Sequence, residues 1–127
     1  MNFLGNSLLI LFLTLTLLMI PTFESSMLII KPKIQFVTQE DRNEYGEIEV
    51  NFEIENTGKE AIRILSVSPH CSCTDFNLSS SVIYNGKSEL LTLTVEWDQI
   101  KSLGEVYAVL KTDSKQKYLK VSIRVKD

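Results

Sequence analysis

Both cysteines and the only histidine of this chain fall within one short stretch, Ser68-Pro69-His70-Cys71-Ser72-Cys73-Thr74. Three soft or borderline ligands within four positions allow three kinds of chemistry. Cys71 and Cys73 could be packing residues, because a free cysteine behaves as a small hydrophobe, and on a strand the two would share one face. They could be a redox pair. Thiols oxidise outside the cytosol, a Cys-x-Cys bond closes a very small ring that is expected to be labile, and His70 could favour a neighbouring thiolate. They could also be metal ligands, since His70, Cys71 and Cys73 form a nitrogen–sulfur set suited to Cu(I) or Zn. A closed zinc site needs a fourth ligand, which Asp75 or a second chain would have to supply. All three readings stay open at this point, and no metal is assigned.

Other reaction classes find little support. With one histidine and no Gly-x-Ser-x-Gly there is no hydrolase triad to assemble. No glycine-rich phosphate loop is present. The expectation is a protein without catalytic residues or cofactor. Trp97 and the tyrosines could stack on sugar rings, but Trp97 holds an inward strand position and reads as core.

The elements that must position the His-Cys-x-Cys stretch are strands. Glu47–Glu55 alternates strictly, with Ile48, Val50, Phe52 and Ile54 on one side and acids or Asn51 on the other. Leu91, Leu93, Val95 and Trp97 repeat the pattern, as do Leu119, Val121, Ile123 and Val125. Ala61–Val67 is β-rich, and its apolar positions change parity after Ile64, which predicts a bulge. Thr74–Leu78 reads as a short strand, and Glu105–Thr112 with Tyr118–Lys126 as a hairpin. Turns are expected at Asn56-Thr57-Gly58-Lys59, where Gly58 could take positive φ, and at Tyr84-Asn85-Gly86-Lys87. Gln39–Gly46 and Asp98–Gly104 read as loops. Pro32 demotes Leu28–Val37 to a bent edge strand; that strand and the last one are the expected edges, able to accept a strand from a partner. About seven strands and no sustained helical period predict an all-β, Ig-like antiparallel sandwich over residues 27–127.

Residues 8–20, LLILFLTLTLLMI, are almost wholly apolar and end at Pro21. That length suits a signal-peptide core better than a membrane span, so residues 1–26 are expected to export the chain to the periplasm or cell surface. If uncleaved, the same segment would be its only attachment to a membrane. The chain has 13 Lys+Arg against 16 Asp+Glu, a formal charge of −3. With no basic run, nucleic acid is not an expected partner; a protein or other component of the cell envelope is.

The order Phe52-Glu53-Ile54-Glu55-Asn56-Thr57-Gly58, then Cys71-Ser72-Cys73-Thr74, then Ile83-Tyr84-Asn85-Gly86-Lys87, then Leu110-Lys111-Thr112-Asp113 resembles the bacterial domain-of-unknown-function family fifteen-seventy-three, itself similar to abnormal-spindle and hydin-type modules. The resemblance covers about Phe36 to Val125. Its usual pattern is Asn-Thr-Gly, Cys-Gly-Cys-Thr, Pro-Gly and Thr-Asn. Here Ser72, Asn85 and Asp113 depart from it. Because Gly tolerates a positive φ that Ser resists, Ser72 is expected to disfavour a tight Cys71–Cys73 bond. The resemblance implies an exported β-sandwich and no established reaction, so the expected function is binding or assembly, with thiol-redox or copper handling as the alternative.

Overall fold

A computed structural model describes residues 27–126. The leader expected over residues 1–26 lies outside them. The strands are β1 (Leu28–Lys31), β2 (Ile34–Val37), β3 (Glu47–Asn56), β4 (Ile62–Pro69), β5 (Thr74–Leu78), β6 (Val82–Ile83), β7 (Ser88–Glu96), β8 (Glu105–Thr112) and β9 (Tyr118–Val125), with helix α1 (Trp97–Leu103) between β7 and β8. They form a four-stranded sheet, β1-β3-β7-β5, and a five-stranded sheet, β2-β9-β8-β4-β6. The all-β, two-sheet sandwich predicted from alternation is what the chain forms, with nine strands among the described residues rather than about seven and with one parallel pair, β2–β9, in place of a wholly antiparallel arrangement.

Alternation explains the core directly. Ile48, Phe52 and Ile54 of β3 are fully buried, and so are Leu91 and Leu93 of β7, Val106 and Leu110 of β8, and Val121 and Ile123 of β9. Each such side chain contributes roughly 1.5–3 kcal/mol on burial. The predicted bulge is present: the β4–β8 register shifts between Ile64 and Ser66. Leu65 is the extra residue and is exposed, while Val67 returns to the inward face opposite Leu110.

Four expectations are corrected. Asp98–Gly104 is not a loop, because Trp97–Leu103 is helical. Trp97 and Ile100 are buried at a spacing of three, so one helical face plugs an end of the sandwich. Gly104, at φ 81°, terminates the helix in the left-handed conformation that glycine tolerates best. Positive φ occurs at Gly46, Gly86 and Gly104, and Gly58 is not among them. The first strand does not bend within one sheet; it changes sheets at the cis Lys31-Pro32 bond, so β1 edges one sheet and β2 the other. The last strand is not an edge, because β2 pairs parallel to β9 and covers it.

The buried polar residue Asn56 organises the end of the sandwich opposite α1. Its Nδ2 donates to the carbonyls of Glu60 (2.7 Å) and Ile83 (2.9 Å), and its Oδ1 accepts from the Gly58 N–H (2.9 Å). Its own N–H donates to Lys87 O, and its carbonyl accepts from the Gly86 N–H. One satisfied amide thus ties two turns together at low solvation cost.

Candidate functional site

Strand β4 belongs to the five-stranded sheet and β5 to the four-stranded one. The chain must therefore cross between layers at His70–Cys73. The turn is closed by the Thr74 N–H donating to Cys71 O (3.1 Å), and Cys71 and Cys73 are bonded to one another, Sγ to Sγ at 2.03 Å. The Cys73 N–H points at Cys71 Sγ (3.0 Å). Both cysteines are half-buried, and Ser72 is exposed. Every positive φ among the described residues belongs to glycine. Ser72 therefore needs no left-handed backbone, and the bond is made with serine at the middle position.

His70 is placed by β8 rather than by the cysteines. Its N–H donates to Tyr107 O (2.9 Å), and its ring stacks on the Tyr107 ring at 4.3 Å between centroids, 15° from parallel. Lys120 Nζ sits 4.2 Å from the same centroid. Two groups that close to one ring centre cannot share a face, so Tyr107 lies between an imidazole and an ammonium. Cys71 and Cys73 are thus brought together, while His70 is directed onto the five-stranded sheet. No group of three His, Cys, Asp or Glu side chains able to hold a metal is formed among the described residues. In this state neither sulfur is a thiolate, so coordination by the pair would first require reduction.

Beside Cys73 a shallow groove of about 340 Å³ is lined by Ser72, Gln99, Thr94 and three carboxylates, Glu47, Asp75 and Glu96. A thiolate approaching Cys73 from this side meets like charge. On the other flank, Glu105 meets Arg124 Nε at 3.3 Å. Partial burial pushes the Glu105 carboxyl upward, but hydrogen bonds from Ser122 and Arg124 and the charges of Arg124 and Lys120 outweigh it, and the net direction is down.

The strand leaving the turn has the expected bounds, but sequence reasoning missed that it is a sheet edge. β5 pairs only with β7, in the register Thr74↔Val95 to Leu78↔Leu91. The Ser79 N–H donates to Leu90 O (2.9 Å). By strand alternation the odd residues of β5 turn their backbone groups toward β7, and Thr74, Phe76 and Leu78 turn theirs outward, where no strand follows. The Thr74 N–H is taken by Cys71 O; among the described residues nothing comparable covers Phe76, whose side chain is 47 % exposed. The opposite edge is treated differently. Gln116 both accepts from the Leu28 N–H (2.7 Å) and donates to Leu28 O (3.3 Å). Gln35 Nε2 donates to Asn51 O (2.6 Å), and Asn43 Oδ1 accepts from the Glu47 N–H (2.9 Å). No sequence signal distinguishes these edges, because which strands are neighbours is a long-range outcome.

Among the described residues no helix is long and apolar enough to cross a membrane. A protein of unknown function from Porphyromonas gingivalis W83 shares the fold, with a TM-score of 0.66 at 15 % identity over 85 % of this chain. This chain spans only 50 % of that one. A FixG-related protein from Vibrio parahaemolyticus aligns at a TM-score of 0.44 and 12 % identity, over 80 % of this chain and 94 % of that one. No curated protein matches the chain. The family model described as a protein of unknown function (DUF1573) matches residues 30–126, covering both the Asn56-Thr57-Gly58 turn and the Cys71–Thr74 turn, and the chain belongs to that family.

Proposed function

We propose that this chain is an exported, non-enzymatic, Ig-like binding module that accepts an extended segment of a cell-envelope partner along β5. The observation that carries the reading is the bare β5 edge: outward backbone groups at Phe76 and Leu78, and a half-exposed Phe76 beside them. Such an edge invites pairing by another chain unless it is blunted by charge, proline or a cover. A strand added there gains main-chain hydrogen bonds, and Phe76 gives an apolar side chain something to pack against. Export rests on the apolar run over residues 8–20.

The test places a photo-reactive residue at Asp75, on the edge strand itself, or at Lys115, exposed in the turn between β8 and β9, in the protein's own cells. One dominant adduct is expected from position 75, lost on adding Phe76→Pro. That substitution removes an outward N–H and the half-exposed ring, both of which the captured strand would use, and no hydrogen bond to β7, so it leaves the β5–β7 ladder intact. Equal adducts from Lys115, or an adduct indifferent to Phe76→Pro, overturn the reading.

A second reading, thiol redox or copper handling through His70, Cys71 and Cys73, is favoured by the Cys71–Cys73 bond lying in a half-buried turn. It predicts a two-hydrogen mass deficit in protein isolated without reductant, ready exchange with a small thiol, and Cu(I) uptake after reduction. A protein isolated with both thiols free, or inert in both assays, removes it.

A further inference from the structure

The two outer faces of the sandwich carry opposite charge. On the four-stranded sheet, cross-strand register puts Glu47 beside Glu96, Glu49 and Asp75 on either side of Thr94, and Glu53 between Lys31 and Leu90, with Glu55 further along β3 on the same face. That face therefore bears six acids against Lys31 alone among the described residues. Like charges set directly opposite, as Glu47 and Glu96 are, cost stability in a lone domain. On the five-stranded sheet, register puts Lys120 beside Val109, Lys111 beside Tyr118, and Arg124 beside Glu105 and Phe36. The one acid of that row is already paired with Arg124. Phe36 (60 % exposed), Tyr118 (63 %) and Ile34 (37 %) stand among these cations with no described residue covering them. Helix α1 contacts β7, β8 and β9 at one end of the sandwich and lies over neither outer face.

We infer that the acidic face of one copy docks on the aromatic and basic face of a second copy, head to tail. Charge complementarity selects the occupant: each face presents what the other lacks, and both are ruled by the same spacing of about 4.8 Å between strands and 6.8 Å between like-facing residues. The contact joins two different surfaces, and these lie on opposite sides of the domain. It therefore repeats in one direction as an open stack rather than closing into a ring. Each face measures roughly 20 by 30 Å from strand spacing and rise. That is about 600 Å², below the ~800 Å² per partner of a standard stable interface. The association is consequently weak, fast and sensitive to salt. It is independent of strand capture at β5, which uses a sheet edge and main-chain bonds.

The test is sedimentation velocity on the protein as purified from its own cells, from micromolar to millimolar concentration, at low and high salt. Two variants carry the discrimination. Glu49→Gln with Glu53→Gln and Glu55→Gln neutralises one face; Lys111→Gln with Lys120→Gln neutralises the other. All five side chains are exposed, so both variants retain the fold, which circular dichroism checks. The unmodified protein is expected to grow beyond a dimer at low salt and to return to monomer at high salt. Each variant alone should remain monomeric. An equimolar mixture should form a one-to-one dimer and nothing larger, because one intact face of each kind remains. A strictly monomeric unmodified protein at millimolar concentration and low salt overturns the proposal. So does self-association that either variant leaves unchanged, or a mixture that fails to dimerise. Phe76→Pro should leave the stack intact; loss of association in that variant assigns the contact to the β5 edge and overturns face stacking.

Discussion

The two ends of the sandwich carry the two sequence signatures of the family, and they are held in different ways. At one end Asn56 is wholly buried, and its side chain makes three hydrogen bonds to neighbouring backbone. At the other end a three-residue covalent ring spans the layer change, half-exposed and beside three carboxylates. The first arrangement is useful only to the fold. The second places a disulfide, half-buried, where a solute can approach it from the groove. The Asn-Thr-Gly and Cys-x-Cys-Thr motifs therefore do different work, and the second is where chemistry is to be sought.

The comparison can be broken by mutation. Asn56→Leu should cost roughly 3–5 kcal/mol, because it orphans two carbonyls and an N–H at a buried site. The expected fall in Tm exceeds about 15 °C, read by thermal unfolding. Asn56→Asp should cost at least as much: it keeps the acceptor for Gly58 but sets a carboxylate against the Glu60 and Ile83 carbonyls. Gln116→Leu, at the same end, uncaps both backbone groups of Leu28 and should cost about 2 kcal/mol in denaturant unfolding. Cys71→Ser with Cys73→Ser should cost only about 1.5 kcal/mol, the chain-entropy value for so short a loop, with the sandwich retained. A loss as large as that of Asn56→Leu would show that the turn is structural after all.

The smallest effect is in acid. The Glu105 carboxyl is held below its ordinary value in the folded state. Its contribution to stability is thus present above the unfolded pKa of about 4.5 and is lost as pH falls through the depressed folded value. Glu105→Gln should flatten the pH dependence of stability below about pH 4.5, by less than ~1 kcal/mol because the pair is partly exposed. Unchanged acid sensitivity in this variant would assign it to other carboxylates.

Most strands were legible because one face of each is buried, which writes a period of two into β3, β7 and β9. The bulge at Leu65 was legible for the same reason, as a change of parity. Helix α1 was not, since seven residues are too few to establish a helical period. Gly104, with Trp97 and Ile100 three apart, was its only local signal. The parallel β2–β9 pairing and the two-residue β6 were hidden because both depend on partners far along the chain. At the candidate site, spacing singled out His70, Cys71 and Cys73 but left open whether the sulfurs pair. It gave no hint that His70 would turn to Tyr107, a residue on another strand. The bare edge of β5 follows from strand order, which composition and periodicity do not encode.

The pairing of the second strand with the last has a consequence for synthesis. Val37 sits opposite Val125, and Gln116 caps Leu28 across 88 positions of sequence. A fragment that stops before β9 can complete neither of these edges, so the native state of the domain becomes reachable only once residues up to about Val125 have emerged. Contacts this distant slow folding. Under the export proposed above, that delay would keep the chain threadable through a translocation channel, and closure by β9 would come on the far side.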